Sequence, residues 1–285
     1  MDDILIIINP AARSDRARSM HQKFAALPNA RIEPTTGPGD AGRIAQRAAA
    51  EGRRLVVAAG GDGTINEVVN GLAGSGTALG ILPAGTMNVF ATELGLPGDF
   101  EKAWAIIEAG RTRTIDLALA NDQYFVQLAG VGFDAQVVER TTSEFKRNFG
   151  PLSYIFNAAH LAAQTPPRLI IEHDGFTHEG GLVLIGNGRY YGMPLEMFAD
   201  ARLDDGLLDV VIAREVNHLA LLRLFSGVVT GTHMDFEDID YFQTRELRVT
   251  SADEVPVEVD GELAGKLPAT FRIAPHRLDV VVGES

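Results

Sequence analysis

The sequence predicts an α/β domain with a mostly parallel sheet, followed by a mostly antiparallel β-sandwich. Two patterns and one size argument lead there. Over roughly the first 118 residues, short apolar runs alternate with segments of helical spacing, as βαβ units do. Beyond about Ala120, short strands separated by Gly, Asp and Pro turns dominate, with only two long helical patterns among them. The chain has 285 residues, 46% of them hydrophobic, enough for two medium cores. The expected division is 1–120 and 121–285, with the C-terminal end able to pack back on the first domain.

"ILIII" opens the first half. It follows an acidic start and is too short for the apolar stretch of a secretory signal, so it reads as a strand. A mixed segment, 16–27, comes next, then "ARIEPT" as a strand and "DAGRIAQRAAAE" with apolar residues at helical spacing. "RLVVAA" is continuously apolar, as a strand covered on both faces must be. "TINEVVNGLA" places Ile65, Val68, Val69 and Leu72 on one stripe, so a helix is expected from about Thr64. "ALGIL", "TMNVFATEL", "FEKAWAIIEAG" and "TIDLALA" continue the alternation.

In the second half the strands are "QYFVQLAG", "PRLIIEHDG", "GLVLIGNG", "LLDVVIA", "ELRVTS", "VPVEVDGE", "ATFRIA" and "LDVVVG". The helical patterns are "PLSYIFNAAHLAAQ" and "NHLALLRLFSGVVTG".

Composition narrows the function. The absence of cysteine removes disulfides, thiolate metal sites and cysteine nucleophiles. A formal net charge of −13 argues against nucleic acid as a partner and gives no bulk attraction to anionic lipid. No run of about eighteen apolar residues occurs, so a cytoplasmic protein without a membrane span is expected.

Four motifs carry the chemistry. In "GGDGT", residues 60–64, a buried strand runs through glycines into a helix, where unpaired N–H groups and close backbone approach suit a phosphate. Asp62 would repel that phosphate unless a metal intervened, which favours a Mg-nucleotide. A tight strand-to-helix turn with Asp62 as its cap fits the spacing equally well. "ILPAGTMNVFA", 81–91, repeats the arrangement, with Thr86 and Asn88 as hydrogen-bonding groups at the same sheet edge or as parts of a capped helix. "ARLDDGLLDVV", 201–211, reads as a solvated Asp-Gly turn or as one carboxylate holding Mg2+ with backbone carbonyls. "VEVDGELAG", 257–265, is a hairpin turning at Asp260-Gly261, with Glu262 just past the turn.

Taken together, the motifs "INP", "GGDGTINEVVNGL", "LPAGTMNVFA", "GVGFDA", "GNGRYYGM", "DDGLLDV" and "VDGE", in this order, resemble the diacylglycerol kinase catalytic-domain family, which includes sphingosine and ceramide kinases. The resemblance implies a first domain like that of NAD kinase and phosphofructokinase, a C-terminal β-sandwich, and ATP in the cleft between them. It implies nucleotide contacts by Asn9, Pro10 and Thr35, by Gly61, Asp62, Gly63, Thr64, Asn66 and Glu67 of the phosphate-side loop, and by Thr86. It places a structural Mg2+ on Asp205 with the backbone carbonyls of Arg202 and Leu207, bracing the domain junction. Glu262 matches the general base, and Asp62 would help hold the Mg2+ that travels with ATP. Three departures stand out: no glycine follows Asn9-Pro10, Val89 stands where many members have Asp after Asn88, and "YYGMPLEMF" carries fewer glycines than its counterparts.

The implied activity is ATP- and Mg-dependent phosphorylation of a lipid hydroxyl, with diacylglycerol the leading acceptor. The implied partners are ATP, the lipid and, transiently, a membrane surface; a homodimer is also allowed. "FGPLSYIFNAAHLAAQ" and "HLALLRLFSGVVTG" are candidate membrane-facing helices, or ordinary core. His160, His218 and His233 lie on or beside them without metal-ligand spacing. The rival readings are a kinase for a soluble acceptor, like NAD kinase, and a nucleotide-binding regulator without catalysis.

Overall fold

A computed structural model describes residues 4–10, 23–24, 30–140, 162–192 and 195–283. The departure at Ala11 to Arg13, most of segment 16–27, the first candidate membrane helix up to 161 and His160 lie outside the described residues. The chain divides into two compact units: Met1–Leu117 with Ala274–Ser285, and Ala118–Ile273.

The first unit is an α/β layer structure. Strands β1 (Ile4–Ile8), β2 (Ala30–Pro34), β3 (Leu55–Gly60) and β4 (Ala78–Pro83) run parallel in the order β2-β1-β3-β4, and the end of β16 (Ala269–Val281) pairs parallel with β4. Ile6, Ile8, Val57, Ala59 and Leu82 pack one face against Ala103 and Ile107 of helix α4 (Phe100–Ala109). Helices α1 (Asp40–Ala50) and α2 (Asp62–Leu72) pack against each other and bury Ile44, Ile65, Val68 and Leu72. Covering both faces explains why β3 is apolar throughout. The C-terminal return is held by Arg277, whose Nε donates to the buried Asp116 of β5 (Thr112–Ala120) at 2.7 Å.

Helix α2 starts at Asp62, two residues before the expected Thr64, because Gly61 takes the N-cap position with extended backbone. "TMNVFATEL" forms only the short α3 (Val89–Glu93).

The second unit is an antiparallel sandwich. One sheet runs β16-β13-β8-β9, with β13 (Glu246–Ser251), β8 (Leu169–His173) and β9 (Phe176–Gly180). The other runs β12-β11-β10-β7-β14-β15. Its strands are β7 (Leu128–Gly132), β10 (Leu182–Gly186), β11 (Leu208–Ala213), β12 (Ile239–Thr244), β14 (Pro256–Val259) and β15 (Glu262–Lys266). Val131, Ile171, Val183, Val210, Val249, Val257 and Phe271 fill the space between the sheets.

"QYFVQLAG" splits into β6 (Gln123–Phe125) and β7, and "GVGFDA" begins a helix the periodicity did not single out, α5 (Phe133–Arg140), packed over β7 and β14. "ATFRIA" and "LDVVVG" are one continuous strand, β16, rather than two. Helix α6 (His218–Thr230) forms as expected, with the Asn217 Oδ1 accepting the N–H groups of Leu219 and Ala220, both at 3.0 Å. Among the described residues no helix is long and apolar enough to cross a membrane.

Candidate active site

In the first unit the expected nucleotide residues gather at the carboxyl ends of neighbouring parallel strands. Asn9 and Pro10 follow β1, Thr35 follows β2, Gly60 ends β3 and the "AGT" turn follows β4. The register that aligns Ile8 with both Pro34 and Ala59, and Gly60 with Pro83, puts these turns side by side. Asn9 Nδ2 reaches the Thr64 hydroxyl at 3.4 Å, and the Thr35 N–H donates to the Ile8 carbonyl at 2.8 Å.

The two glycine turns touch through their backbones. A Cβ on Gly85 would lie 2.6 Å from the Gly61 Cα, and one on Gly61 would lie 3.2 Å from the Gly85 Cα. The Asn88 side chain clamps this contact: its Oδ1 accepts the Gly85 N–H at 2.8 Å and its Nδ2 donates to the Gly85 carbonyl at 2.9 Å. Asn88 is buried and left-handed (φ 51°), so its amide is spent on the turn and not held out to solvent.

The N-cap position is held by Gly61, which has no side chain to cap α2, and the first carboxyl of the helix is that of Asp62. Its Oδ1 accepts the N–H of Phe90 at 3.4 Å, tying the start of α2 to the start of α3. Burial pushes the Asp62 carboxyl above the usual range, against the pull of the Phe90, Val89 and Asn88 N–H groups. With no side chain at the N-cap, the start of α2 presents backbone amides of the kind that receive an anion.

Other members of the expected set have structural partners. Glu67 accepts the N–H groups of Gly39 (2.8 Å) and Ala41 (3.0 Å), capping α1. Asn66 is buried and accepts from the Asn70 amide at 3.1 Å. Gly63 is half-buried in the first turn of α2, while Thr86 is exposed.

In the second unit, Asp260 (φ 47°) and Gly261 (φ 85°) form the two-residue turn of the β14–β15 hairpin. Both central residues are left-handed, the type I′ geometry that an Asp-Gly pair favours. The Asp260 carboxylate accepts three successive N–H groups, from Val126 (3.0 Å), Gln127 (2.9 Å) and Leu128 (3.1 Å). Glu262, the first residue beyond this anchored turn, is exposed, and Leu263 beside it is exposed too.

Beneath the same hairpin lies a carboxyl pair that spacing did not reveal. Glu258 and Asp134 are both buried and hydrogen-bonded to each other. Glu258 also accepts the Gly261 N–H at 2.9 Å, and Tyr191 donates its hydroxyl to Asp134. Burial raises both carboxyls, and for Glu258 the neighbouring Asp134 charge adds to it.

Near the "DDGLLDV" turn, the Asp205 Oδ1 accepts the Leu207 N–H at 3.0 Å, with Gly206 left-handed (φ 74°). Arg202 is exposed. Asp209, on β11, has one carboxylate oxygen held by Tyr241 and by Gln243 (3.1 Å), while its other oxygen, Oδ2, is buried with no partner among the described residues. Burial pushes this carboxyl up to about 6, with the charges of Asp205 and Asp200 adding to the effect. An orphaned carboxylate oxygen beside two further acidic charges is the donor chemistry a hard cation takes, but the three side chains do not themselves form a metal-holding cluster. Among the described residues no cluster of three His, Cys, Asp or Glu side chains is already arranged around a metal position. His233 is buried with its Nε2 at 2.9 Å from the Met197 carbonyl.

Comparisons with known proteins place these features in context. The family description "Diacylglycerol kinase catalytic domain" matches residues 3–120, and "YegS C-terminal NAD kinase beta sandwich-like domain" matches residues 127–282. A diacylglycerol kinase of Staphylococcus carnosus (strain TM300) is 32% identical, over 96% of this chain and 93% of the relative. One from Bacillus subtilis (strain 168) is 35% identical, over 87% and 84% respectively. A crystal structure of a diacylglycerol kinase from Bacillus anthracis str. Sterne superposes with a TM-score of 0.80 at 27% sequence identity, covering 99% of this chain and 97% of that one.

Proposed function

Since the chain belongs to the diacylglycerol kinase family and is a lipid kinase, we propose that it transfers the γ-phosphate of Mg-ATP to a hydroxyl of diacylglycerol or a related lipid. The observation that carries this reading is the double glycine turn. Gly61 and Gly85 meet without side chains at the ends of β3 and β4, beside a carboxylate and a helix start whose N-cap carries no side chain, which supports phosphate and Mg2+ binding together.

In this reading the backbone of Gly61, Gly63 and Thr64 receives the phosphates, and Asn9, Pro10, Thr35, Asn66 and Thr86 complete the nucleotide contacts. Asp62 would help hold the metal of Mg-ATP, directly or through water. Glu67 supports the same loop from behind, by holding α1 against α2. Bound Mg2+ supplies neutralisation of the phosphate charge.

Glu262 accepts the proton of the lipid hydroxyl as its oxygen forms the new bond to the γ-phosphorus. The bond from phosphorus to the β–γ bridging oxygen breaks, and its electrons leave with ADP. Asp260 holds the turn that presents Glu262, through three backbone bonds. Leu263 offers an apolar neighbour to the acceptor. A second, structural Mg2+ would sit on Asp205 and the carbonyls of Arg202 and Leu207, with the nearby acid Asp209 adding negative charge to that end of β11. Lipid phosphorylation also requires contact with a membrane surface, which we include in the proposal.

The test is incubation of the full chain with γ-labelled Mg-ATP and either diacylglycerol in mixed micelles or NAD in solution. Label in phosphatidic acid is expected. Label in NADP alone would replace this reading with the soluble-acceptor one, and binding of Mg-ATP with no labelled product from a total lipid extract would favour the regulator.

A further inference from the structure

Helix α6 is apolar on two opposite sides, and only one of them is covered. Leu224 and Val228 are buried in a cluster with Ile239, Phe236 and Tyr241. On the other side, Leu219, Leu222, Phe225 and Val229 are 78%, 65%, 54% and 61% exposed. At about 100° per residue these four span roughly 120° of the helix, centred opposite Leu224. Seven large apolar side chains among the described residues are strongly exposed, and four of them stand on this helix, so they form a patch and not a scatter. A helix apolar all round expects cover all round.

The helix is also well held. Asn217 caps its start, and Gly231 (φ 71°) ends it with its N–H on the Val228 carbonyl at 3.3 Å. Its one Lys, Arg, Asp or Glu residue, Arg223, is turned back onto its own unit, paired with Asp238 and lying 4.7 Å over the Phe236 ring. The exposed face is therefore rigid and without formal charge.

Two quantities choose the occupant. Four side chains at these exposures offer on the order of 500 Å², short of the roughly 800 Å² per partner that a stable protein interface buries. A helix lying in the bilayer interface has no such minimum: its binding scales with the apolar area it buries. The chain's net charge of −13 repels anionic lipid, which matches a face that uses no cation to dock.

We propose that this face of α6 docks on an electrically neutral lipid bilayer, with Leu219, Leu222, Phe225 and Val229 entering the interfacial region. The proposal rests on the lipid-kinase reading, since a bilayer-resident acceptor is what brings the protein to a membrane.

Sedimentation with phosphatidylcholine vesicles tests it, using the full chain and a variant combining Leu219→Gln, Leu222→Gln, Phe225→Gln and Val229→Gln. All four positions are exposed, so the fold is expected to survive. Wild type binds, raised salt does not weaken binding, and added anionic lipid does. The variant binds about tenfold less or worse, yet phosphorylates short-chain diacylglycerol in detergent micelles at the wild-type rate. Separately, a Phe225→Trp variant shows a blue-shifted emission when vesicles are added. Equal vesicle binding by variant and wild type overturns the proposal. So does a wild-type dimer that the variant turns into a monomer while vesicle binding stays unchanged, which would assign the face to a second copy. A vesicle-dependent emission shift in a protein that phosphorylates no lipid supports the docking face and removes the functional reading instead.

Discussion

Gly85 and Gly61 are so close that a Cβ on the first would lie 2.6 Å from the second's Cα, while the reverse contact would be 3.2 Å. The asymmetry makes a directional prediction. Gly85→Ala cannot be accommodated without moving backbone, so it costs about 1–3 kcal/mol of stability and raises the KM for ATP strongly. Gly61→Ala needs a shift of only tenths of an ångström and is milder on both counts. Chemical denaturation and ATP kinetics on the two variants check the order.

Asp62 tests a functional against a structural role. Burial raises its carboxyl, so at neutral pH the charged form costs the folded chain stability that a neutral amide does not. Asp62→Asn is therefore expected to unfold no earlier than wild type at pH 7, because its oxygen still accepts the Phe90 N–H. Phosphoryl transfer falls by about 100-fold or more. Unchanged transfer with lowered stability would reduce Asp62 to a tie between two helices.

Glu262 and Asp260 separate chemistry from positioning. Glu262 is exposed, so Glu262→Gln leaves stability within about 0.5 kcal/mol while transfer drops by about 100-fold or more. Asp260→Asn replaces one accepting oxygen with an amide nitrogen facing a backbone N–H, which costs about 1–3 kcal/mol. It lowers kcat through the hairpin while leaving the KM for ATP unchanged. A Glu262→Gln enzyme of full activity would remove the base assignment.

The Asp134–Glu258 pair predicts a pH dependence of stability. Both carboxyls are raised in the folded state, so above the ordinary carboxylate range the folded chain binds more protons than the unfolded one. Stability from this pair is fully present at acid pH and declines as pH rises above that range toward the raised folded values. Glu258→Gln keeps an acceptor for the Gly261 N–H and removes the buried acid. Its unfolding temperature is expected to fall less than wild type's between about pH 5 and pH 8, and to exceed it at the upper end.

Added Mg2+, without nucleotide, is expected to raise the unfolding temperature of the wild type. Asp205→Asn should abolish the rise, since binding to the folded state alone is what stabilises. An equal rise in both would place the ion elsewhere.

The elements governed by near neighbours were legible in the sequence. Continuous apolar runs marked β1, β3 and β4, the stripe from Ile65 to Leu72 marked α2, and Asp260-Gly261 marked a hairpin turn, because each depends on residues a few positions apart. The same locality misled where a longer-range contact decided. Period-two alternation turns Glu258 outward to solvent, but α5 covers that face and buries it against Asp134. Nothing in "LDVVVG" announces that it continues "ATFRIA" as one strand; the pairing partners, β13 at one end and β4 at the other, make it so.

The sequence by itself determined which residue types are suited to a phosphate, a metal and a hydroxyl, since turn glycines and carboxylates carry that chemistry in their own atoms. Only the tertiary structure decided what each was free to do. Glu67 is engaged by amides 26 and 28 positions away, and Asp260 by amides 132 to 134 positions away. Helix α6 carries the same apolar pattern on its buried and open sides. Hydrogen-bond capacity and burial are settled by which distant segments arrive, and a one-dimensional pattern holds no record of that arrival.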